Sequence, residues 1–381
     1  MNELKKRWST LSKKEKNIVI GIIVGILILI SSGIAFALTY KSDQVDKKDS
    51  KVEPVTDKID LNRVFPVDEE ETEIKEVSPF SGNKCERYNA RPIAVMMAGD
   101  EIARPLSGLS KAEFVVEMPV ITGSVTRLMG IFVCDTPDEV GSIRSSRHDY
   151  ISLVRGWDTI FVHWGGSHFA LDEIKTGIRY TGENLGKVDS IDALTTSGPF
   201  FRQNFVAAPH NGFASLPKVI ESAKQKGYNM EGKFEGYKFQ SDRMTDQEKE
   251  NSVDGVLEVG FGGVFKTKWE YSSDKNKYIR YWNNEKDSDR INNEEIKASN
   301  IVVMRAFSEQ IEGQYNSVNI YGEGEAKIFQ NGKEINAKWK KDGFKGALKF
   351  FDMENNEIRL VKGQTFIEII EPYQSLIWNT K

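Results

Sequence analysis

Residues 159–168 read TIFVHWGGSH, an apolar run that ends in a histidine, two glycines and a serine. The apolar run predicts a buried strand over 159–163, because it is short, β-branched and bounded by glycine. Ser167 is interpreted as the N-cap of a helix over 169–175, which Gly177 would end. A nucleophilic role for Ser167 is not favoured, since the Gly-x-Ser-x-Gly elbow pattern is absent. This strand-to-helix transition indicates a layered α/β fold.

The end of that strand is also the first candidate site. Ligands of open α/β sheets bind beyond the carboxyl ends of strands, so His163 lies where a general base or hydrogen-bond donor is expected. Gly165 and Gly166 would allow a ligand to approach the backbone closely. The alternative is a buried histidine bonded to a carbonyl group, with the glycines serving a tight turn.

Similar patterns extend in both directions along the chain. Residues 85–227 alternate strand and helix patterns and predict an α/β (α+β) domain, with mixed strand directions allowed by the short early connections. Residues 228–381 change to alternating, aromatic-rich strand patterns and predict a mostly antiparallel β domain. Asn331-Gly332 is its strongest hairpin pattern.

Arginine pairs mark a second candidate site. Residues 141–147 read GSIRSSR and pass from a short strand into a helix, which places Arg144 and Arg147 beside free backbone N–H groups. Planar guanidinium groups at a helix start indicate an anion site. Two ordinary salt bridges and a serine cap are the alternative.

All four histidines lie between residues 148 and 210. In the loop APHNG, His210 and Asn211 are further candidates for ligand contact, although Asn211 could equally stabilise a turn. Glu117 ends an apolar run before a proline, where it could pair with Arg127 or act as an acid or base near His163. Neither the helix spacing of metal-binding histidines nor an HExxH pattern is present, so no metal and no cofactor are expected.

The two cysteines are Cys85 and Cys134. An oxidising exterior permits a disulfide bond between them, and two free buried thiols are the alternative.

The N-terminus predicts the location of the protein. Residues 18–38 contain no charged side chain and are long enough to cross a bilayer. Lysines and an arginine crowd residues 1–17, which predicts a cytoplasmic basic tail and an extracytoplasmic body. Residues 39–84 are charged and aperiodic, typical of a flexible linker. We expect a single-pass cell-membrane protein; a cleaved signal peptide is the rival interpretation.

Composition excludes one class of partner. Lys+Arg 52 against Asp+Glu 56 gives a net charge of −4, so a general nucleic-acid binder with a basic face is not expected.

Several motifs, in order, resemble one family. The segments are RPIAVM (91–96), RPLSGL (104–109), AEFVVE (112–117), VGSIRSSR (140–147), HWGGS (163–167) and APHN (208–211). The chain is similar to the YerB-like putative lipoproteins of Gram-positive bacteria, which have two domains of unknown function. It lacks their lipidation cysteine, and the apolar segment 18–38 takes the place of the acyl anchor. The resemblance implies a protein of the cell envelope and no particular activity.

Three functional hypotheses follow from the residues. The first is an anionic or sugar-containing envelope ligand, held by Arg127, Arg144, Arg147, His210 and Asn211 with close approach at Gly165 and Gly166. The second is a wall-glycan hydrolase or transglycosylase-like enzyme in the same pocket, with Glu117 or His163 as acid or base. The third is a scaffold that docks another envelope protein.

Overall fold

The computed structural model describes residues 76–123, 125–241 and 252–380. The predicted cytoplasmic tail, the anchor over 18–38 and most of the linker lie outside these residues. None of the helices within the described ranges is long and apolar enough to cross a membrane.

Three α-helices lie in the first half of the described chain. They are α1 (His148–Gly156), α2 (His168–Thr176) and α3 (Leu216–Gln225). As expected from sequence, the Ser167 hydroxyl accepts a hydrogen bond from the Ala170 N–H at 3.2 Å. Gly177 ends α2 in the left-handed region, at φ 69°, where a side chain would be strained.

Strands dominate the rest. In the first half they are β1 (Ile93–Ala98), β2 (Phe114–Pro119), β3 (Thr126–Phe132), β4 (Val140–Gly141), β5 (Ile160–His163), β6 (Ser190–Asp192), β7 (Phe200–Arg202) and β8 (Gly212–Ala214). In the second half they are β9 (Gly255–Val259), β10 (Thr267–Ser272), β11 (Lys277–Trp282), β12 (Glu285–Lys286), β13 (Lys297–Ala298), β14 (Asn300–Arg305), β15 (Ser308–Glu312), β16 (Tyr315–Val318), β17 (Gly322–Gln330), β18 (Lys333–Lys341), β19 (Leu348–Phe351), β20 (Thr365–Ile370) and β21 (Leu376–Thr380).

One ten-stranded sheet organises the fold, in the order β19-β18-β17-β14-β20-β2-β3-β1-β5-β6. Strands from both predicted domains belong to it, since β2 of the first pairs in parallel with β20 of the second. The described residues are therefore mixed α/β, with few helices and a region rich in antiparallel strands after residue 252. The domain boundary expected between residues 227 and 228 remains a prediction from the sequence.

Strand β1 lies in the part of this sheet that is buried on both faces. Ala94 and Met96 pack in the apolar layer that contains α1, whereas Ile93, Val95 and Met97 pack in the layer beneath α3 and a second sheet. That second sheet is antiparallel, in the order β12-β11-β10-β9-β21, with β13 beside β11. A nearly continuous apolar run is what a strand covered on both faces requires.

Cys85 and Cys134 form a disulfide bond, with 5.7 Å between their Cα atoms. The bond ties the segment that precedes β1 to the chain just after β3. In the chain-entropy model, closing a loop of this length stabilises the fold by about 4 kcal/mol.

Candidate functional site

The candidate site begins where β1 and β5 separate. These strands pair in parallel at their starts, and residues 142–146 then enter between them. The Ala98 N–H donates to the Ser142 carbonyl at 3.0 Å, and the Trp164 N–H donates to the Arg144 carbonyl at 3.1 Å. This insertion holds Arg144 at the carboxyl ends of two parallel strands, where α/β sheets bind ligands.

A cationic cluster surrounds Asp100, the second residue after β1. Oδ2 of Asp100 lies 3.1 Å from Nη1 of Arg127, 3.9 Å from Nε of Arg144 and 3.8 Å from Nδ1 of His210. Three of the predicted ligand-binding residues therefore converge on one carboxylate. Asp100 was not among the residues predicted from the sequence, although a carboxylate just beyond a buried strand is a recognisable pattern.

Positive charge in this cluster exceeds negative charge. Burial and then the charge of Arg144 lower the pKa of Arg127 to about 10, so Arg127 stays protonated at neutral pH. Burial and Arg144 also lower the pKa of His210, which leaves that ring neutral and able to hydrogen-bond. Arg147, which interacts electrostatically with Arg144, adds a third guanidinium group to a cluster whose carboxylate is that of Asp100.

Part of this hydrogen-bonding capacity is unused. The Nε atoms of Arg127, Arg144 and Arg147 are buried and have no hydrogen-bond acceptor among the described residues. A buried donor without a partner costs about 1–3 kcal/mol, so the cluster is better satisfied when an acceptor-rich group is present.

Arg147 joins the two halves of the chain at this site. It is the N-cap of α1 and makes no side-chain capping bond. Its guanidinium lies 5.5 Å from the ring centre of Tyr315 on β16. No local pattern in the sequence indicated Tyr315, because its contact depends on a hairpin that lies far along the chain.

A cavity of about 300 Å³ adjoins the cluster. Its polar lining includes Arg144, Ser145, Arg202 and Asn211. Oδ1 of Asn211 accepts a hydrogen bond from Nη1 of Arg202 at 2.5 Å, which orients that arginine. Trp164 forms another wall, but Arg202 covers its ring at 4.4 Å.

Gly165 and Gly166 allow neighbouring chain segments to pack closely. A Cβ on Gly166 would come within 2.2 Å of the Ser146 hydroxyl, and the Gly165 N–H donates to Asp192 at 2.8 Å. The space beside Gly166, where a ligand was expected to approach, is filled by Ser146, and the space beside Gly165 is filled by Leu194. Gly165 and Gly166 therefore position the inserted segment that carries Arg144.

His163 is the last residue of β5 and is 1% exposed. Its Nδ1 is 2.8 Å from the Gly165 carbonyl, which assigns the proton to Nδ1, while Nε2 is buried and has no partner among the described residues. Burial lowers its pKa, so the ring is neutral. This geometry matches the structural alternative that the sequence left open.

Glu117 is fully buried and lies apart from the arginine cluster. It accepts a hydrogen bond from the Thr126 hydroxyl at 2.6 Å and forms an ion pair with Arg280 of β11. Its partner is thus Arg280 rather than the expected Arg127. With both Glu117 and His163 enclosed, neither proposed acid or base presents a group to solvent.

Within the described ranges, no group of histidine, cysteine or acidic side chains has the arrangement of a metal site. The cluster offers positive charge and hydrogen-bond donors.

Comparison with known proteins shows the family. The chain is 30% identical, over 301 residues, to the putative lipoprotein YerB of Bacillus subtilis (strain 168), which covers 77% of this chain and 86% of that protein. The chain belongs to the YerB-like family. The family's N-terminal and C-terminal domain models, each described as a protein of unknown function (DUF3048), match residues 80–229 and 257–367.

The crystal structure of YerB from Bacillus subtilis has a similar fold, with a TM-score of 0.69 at 27% identity, over 79% of this chain and 99% of that one. The arginine cluster lies within the match to the family's N-terminal domain, and Tyr315 lies within the match to its C-terminal domain.

Proposed function

We propose that this YerB-like protein is an extracytoplasmic envelope protein that binds an anionic, sugar-containing ligand at the Arg127, Arg144 and Arg147 cluster. The excess of buried guanidinium donors over carboxylates carries the proposal. A phosphate or carboxylate group of the ligand would accept hydrogen bonds from these arginines and from the N-terminus of α1. The adjoining cavity of about 300 Å³ has room for a sugar ring beside Asn211 and Arg202.

Glucose 6-phosphate is a probe that carries both parts of such a ligand. Titration calorimetry of the full-length protein should show saturable binding that is tighter than that of glucose or inorganic phosphate alone. Replacing Arg144 or Arg147 by glutamine should weaken binding by about tenfold or more, because each removes charge-assisted hydrogen bonds. Higher salt should also weaken it.

Arg359→Gln is the matched control. Arg359 is exposed and donates one long hydrogen bond, 3.4 Å, to the Phe239 carbonyl, so its loss removes the same charge outside the cluster. Equal affinities of the Arg144 and Arg359 variants would contradict the proposal, as would the absence of saturable binding by all three probes.

We also propose that residues 18–38 anchor the protein and that its body lies outside the membrane. Support comes from the putative lipoprotein YerB, a relative whose name indicates attachment to a membrane. Protease added to intact protoplasts should degrade the body and leave an N-terminal cytoplasmic tag protected. Protection of the body until the cells are lysed would reject this orientation.

A further inference from the structure

A second polar pocket of about 330 Å³ lies between the turn that follows β1 and the hairpin of β11 and β12. Residues from both matched family domains line it, chiefly Glu101, Arg104, Trp282, Glu285, Lys286 and Asp287. None of them was a candidate in the sequence analysis, and none contributes to the arginine cluster.

Arg104 lines this pocket and has an unused hydrogen-bonding edge. Its side chain is 9% exposed, and Nη1 donates to Oδ2 of Asp287 at 2.6 Å. The guanidinium stacks over the ring of Trp282, with 4.5 Å from Cζ to the ring centre. Nε and Nη2 have no acceptor among the described residues. These two atoms form one side of the guanidinium fork, which matches the two oxygens of a carboxylate.

Trp282 adds a third donor. It is 5% exposed, and its Nε1–H is buried with no acceptor within the described part of the chain. Indole N–H groups usually find a partner when buried. Three buried donors of residues that line one pocket therefore have no acceptor among the described residues, which favours an occupant that supplies oxygen acceptors.

Two exposed side chains of the pocket are negatively charged, in contrast to the largely buried side chain of Arg104. Glu101 and Glu285 are exposed, and neither has an ion-pair partner among the described residues. The nearby lysine, Lys286, is neutralised by Glu295 at 2.8 Å. A simple anion would be repelled by the two free carboxylates, whereas a ligand with an ammonium group would be attracted.

We propose that this pocket binds a zwitterion, namely an amino acid or short peptide with a free carboxylate and a free amine. Arg104 and Trp282 hold the carboxylate, and Glu101 and Glu285 hold the ammonium group. The inference is independent of the anion site proposed above.

Three dipeptide probes separate the parts of this proposal: dialanine, dialanine amide and N-acetyl-dialanine. Calorimetry of the full-length protein should show binding of dialanine, no measurable binding of the amide, and binding of the acetylated form weaker by about three- to tenfold. In ¹⁵N–¹H spectra, the indole resonance that Trp282→Phe removes should shift on addition of dialanine.

Variants then assign the contacts. Arg104→Lys keeps the charge but loses the fork, and should weaken dialanine binding by about tenfold. Glu285→Gln should weaken dialanine binding by about threefold. Because this side chain is exposed, the variant tests the site without risk to folding. Arg144→Gln should leave it unchanged.

Several results would overturn the inference. They are no saturable binding of dialanine, equal binding of dialanine and its amide, or undiminished binding by folded Arg104→Lys and Glu285→Gln proteins. Each would leave the pocket as a water-filled space.

Discussion

Replacing Arg280 by methionine is expected to lower the free energy of unfolding by about 3–5 kcal/mol, a large share of the stability of a typical domain. Arg280 is fully buried between the two sheets and pairs with both Glu117 and Asp287. Burial alone would lower its pKa, but those two carboxylates raise it instead. Without Arg280, Glu117 is a buried carboxylate with no counter-ion.

Urea unfolding followed by circular dichroism would measure this effect. Arg359→Met, which removes an exposed arginine, should change stability by less than about 0.5 kcal/mol. Adding Glu117→Gln to Arg280→Met should recover part of the loss, because the double variant no longer buries an unpaired charge. A loss for Arg280→Met no larger than that of the control would show that the ion pairs add nothing.

Replacing Glu368 by glutamine is expected to abolish a large pH dependence of stability. Glu368 lies directly opposite Glu117 in the parallel pairing of β2 and β20, and its Oε1 accepts a hydrogen bond from Trp269 at 3.1 Å. Burial, and next the charge of Glu117, raise its pKa to about 8. Glu368 is thus protonated at neutral pH.

The raised pKa sets the sign of the effect. Between pH 4.5 and pH 8 the folded protein keeps a proton on Glu368 that the unfolded chain has released. The stability contributed by this proton is fully present below pH 4.5 and is lost as the pH rises through 8, at about 1.4 kcal/mol per pH unit. Glutamine is neutral at every pH. The free energy of unfolding of the variant should therefore exceed that of the wild type by the largest amount at pH 8.

Unfolding free energies at pH 5, 6.5 and 8 for wild type, Glu368→Gln and Glu354→Gln would test this. Groups distant from the substituted residue titrate equally in all three proteins, so the difference from wild type isolates Glu368 together with its neighbour Glu117. Glu354 is exposed, and its variant should run parallel to the wild type. If the pH dependence of the unfolding free energy of Glu368→Gln also ran parallel to that of the wild type, Glu368 would not be protonated as assigned.

Local features of the fold could be predicted because their causes lie within a few residues. The strand predicted over 159–163 is β5, the cap at Ser167 begins α2, and Gly177 ends it. The hairpin expected at Asn331-Gly332 joins β17 and β18, with both residues at positive φ. Hydrophobic periodicity, capping and turn geometry each act over one or two turns of chain.

The candidate site was predicted in part. Local patterns were enough to select Arg144 at a strand-to-helix junction, His210 in a loop and Arg127 near Glu117, and these three residues meet at Asp100. They were not enough to show that Gly166 packs against Ser146. Free space at a glycine depends on which other segment passes there, and the sequence around it does not specify that segment.

The sequence by itself determined the family and several of the strands and helices, and it predicted the arginines that converge in the cluster. Only the tertiary structure decided the partners of buried charges and the membership of the central sheet. Glu117 pairs with an arginine 163 residues away, and β20 of the second half pairs with β2 of the first. The physical reason is that ion pairs and strand pairing depend on distance in space. Contacts between residues far apart along the chain form only when the whole apolar core assembles around them.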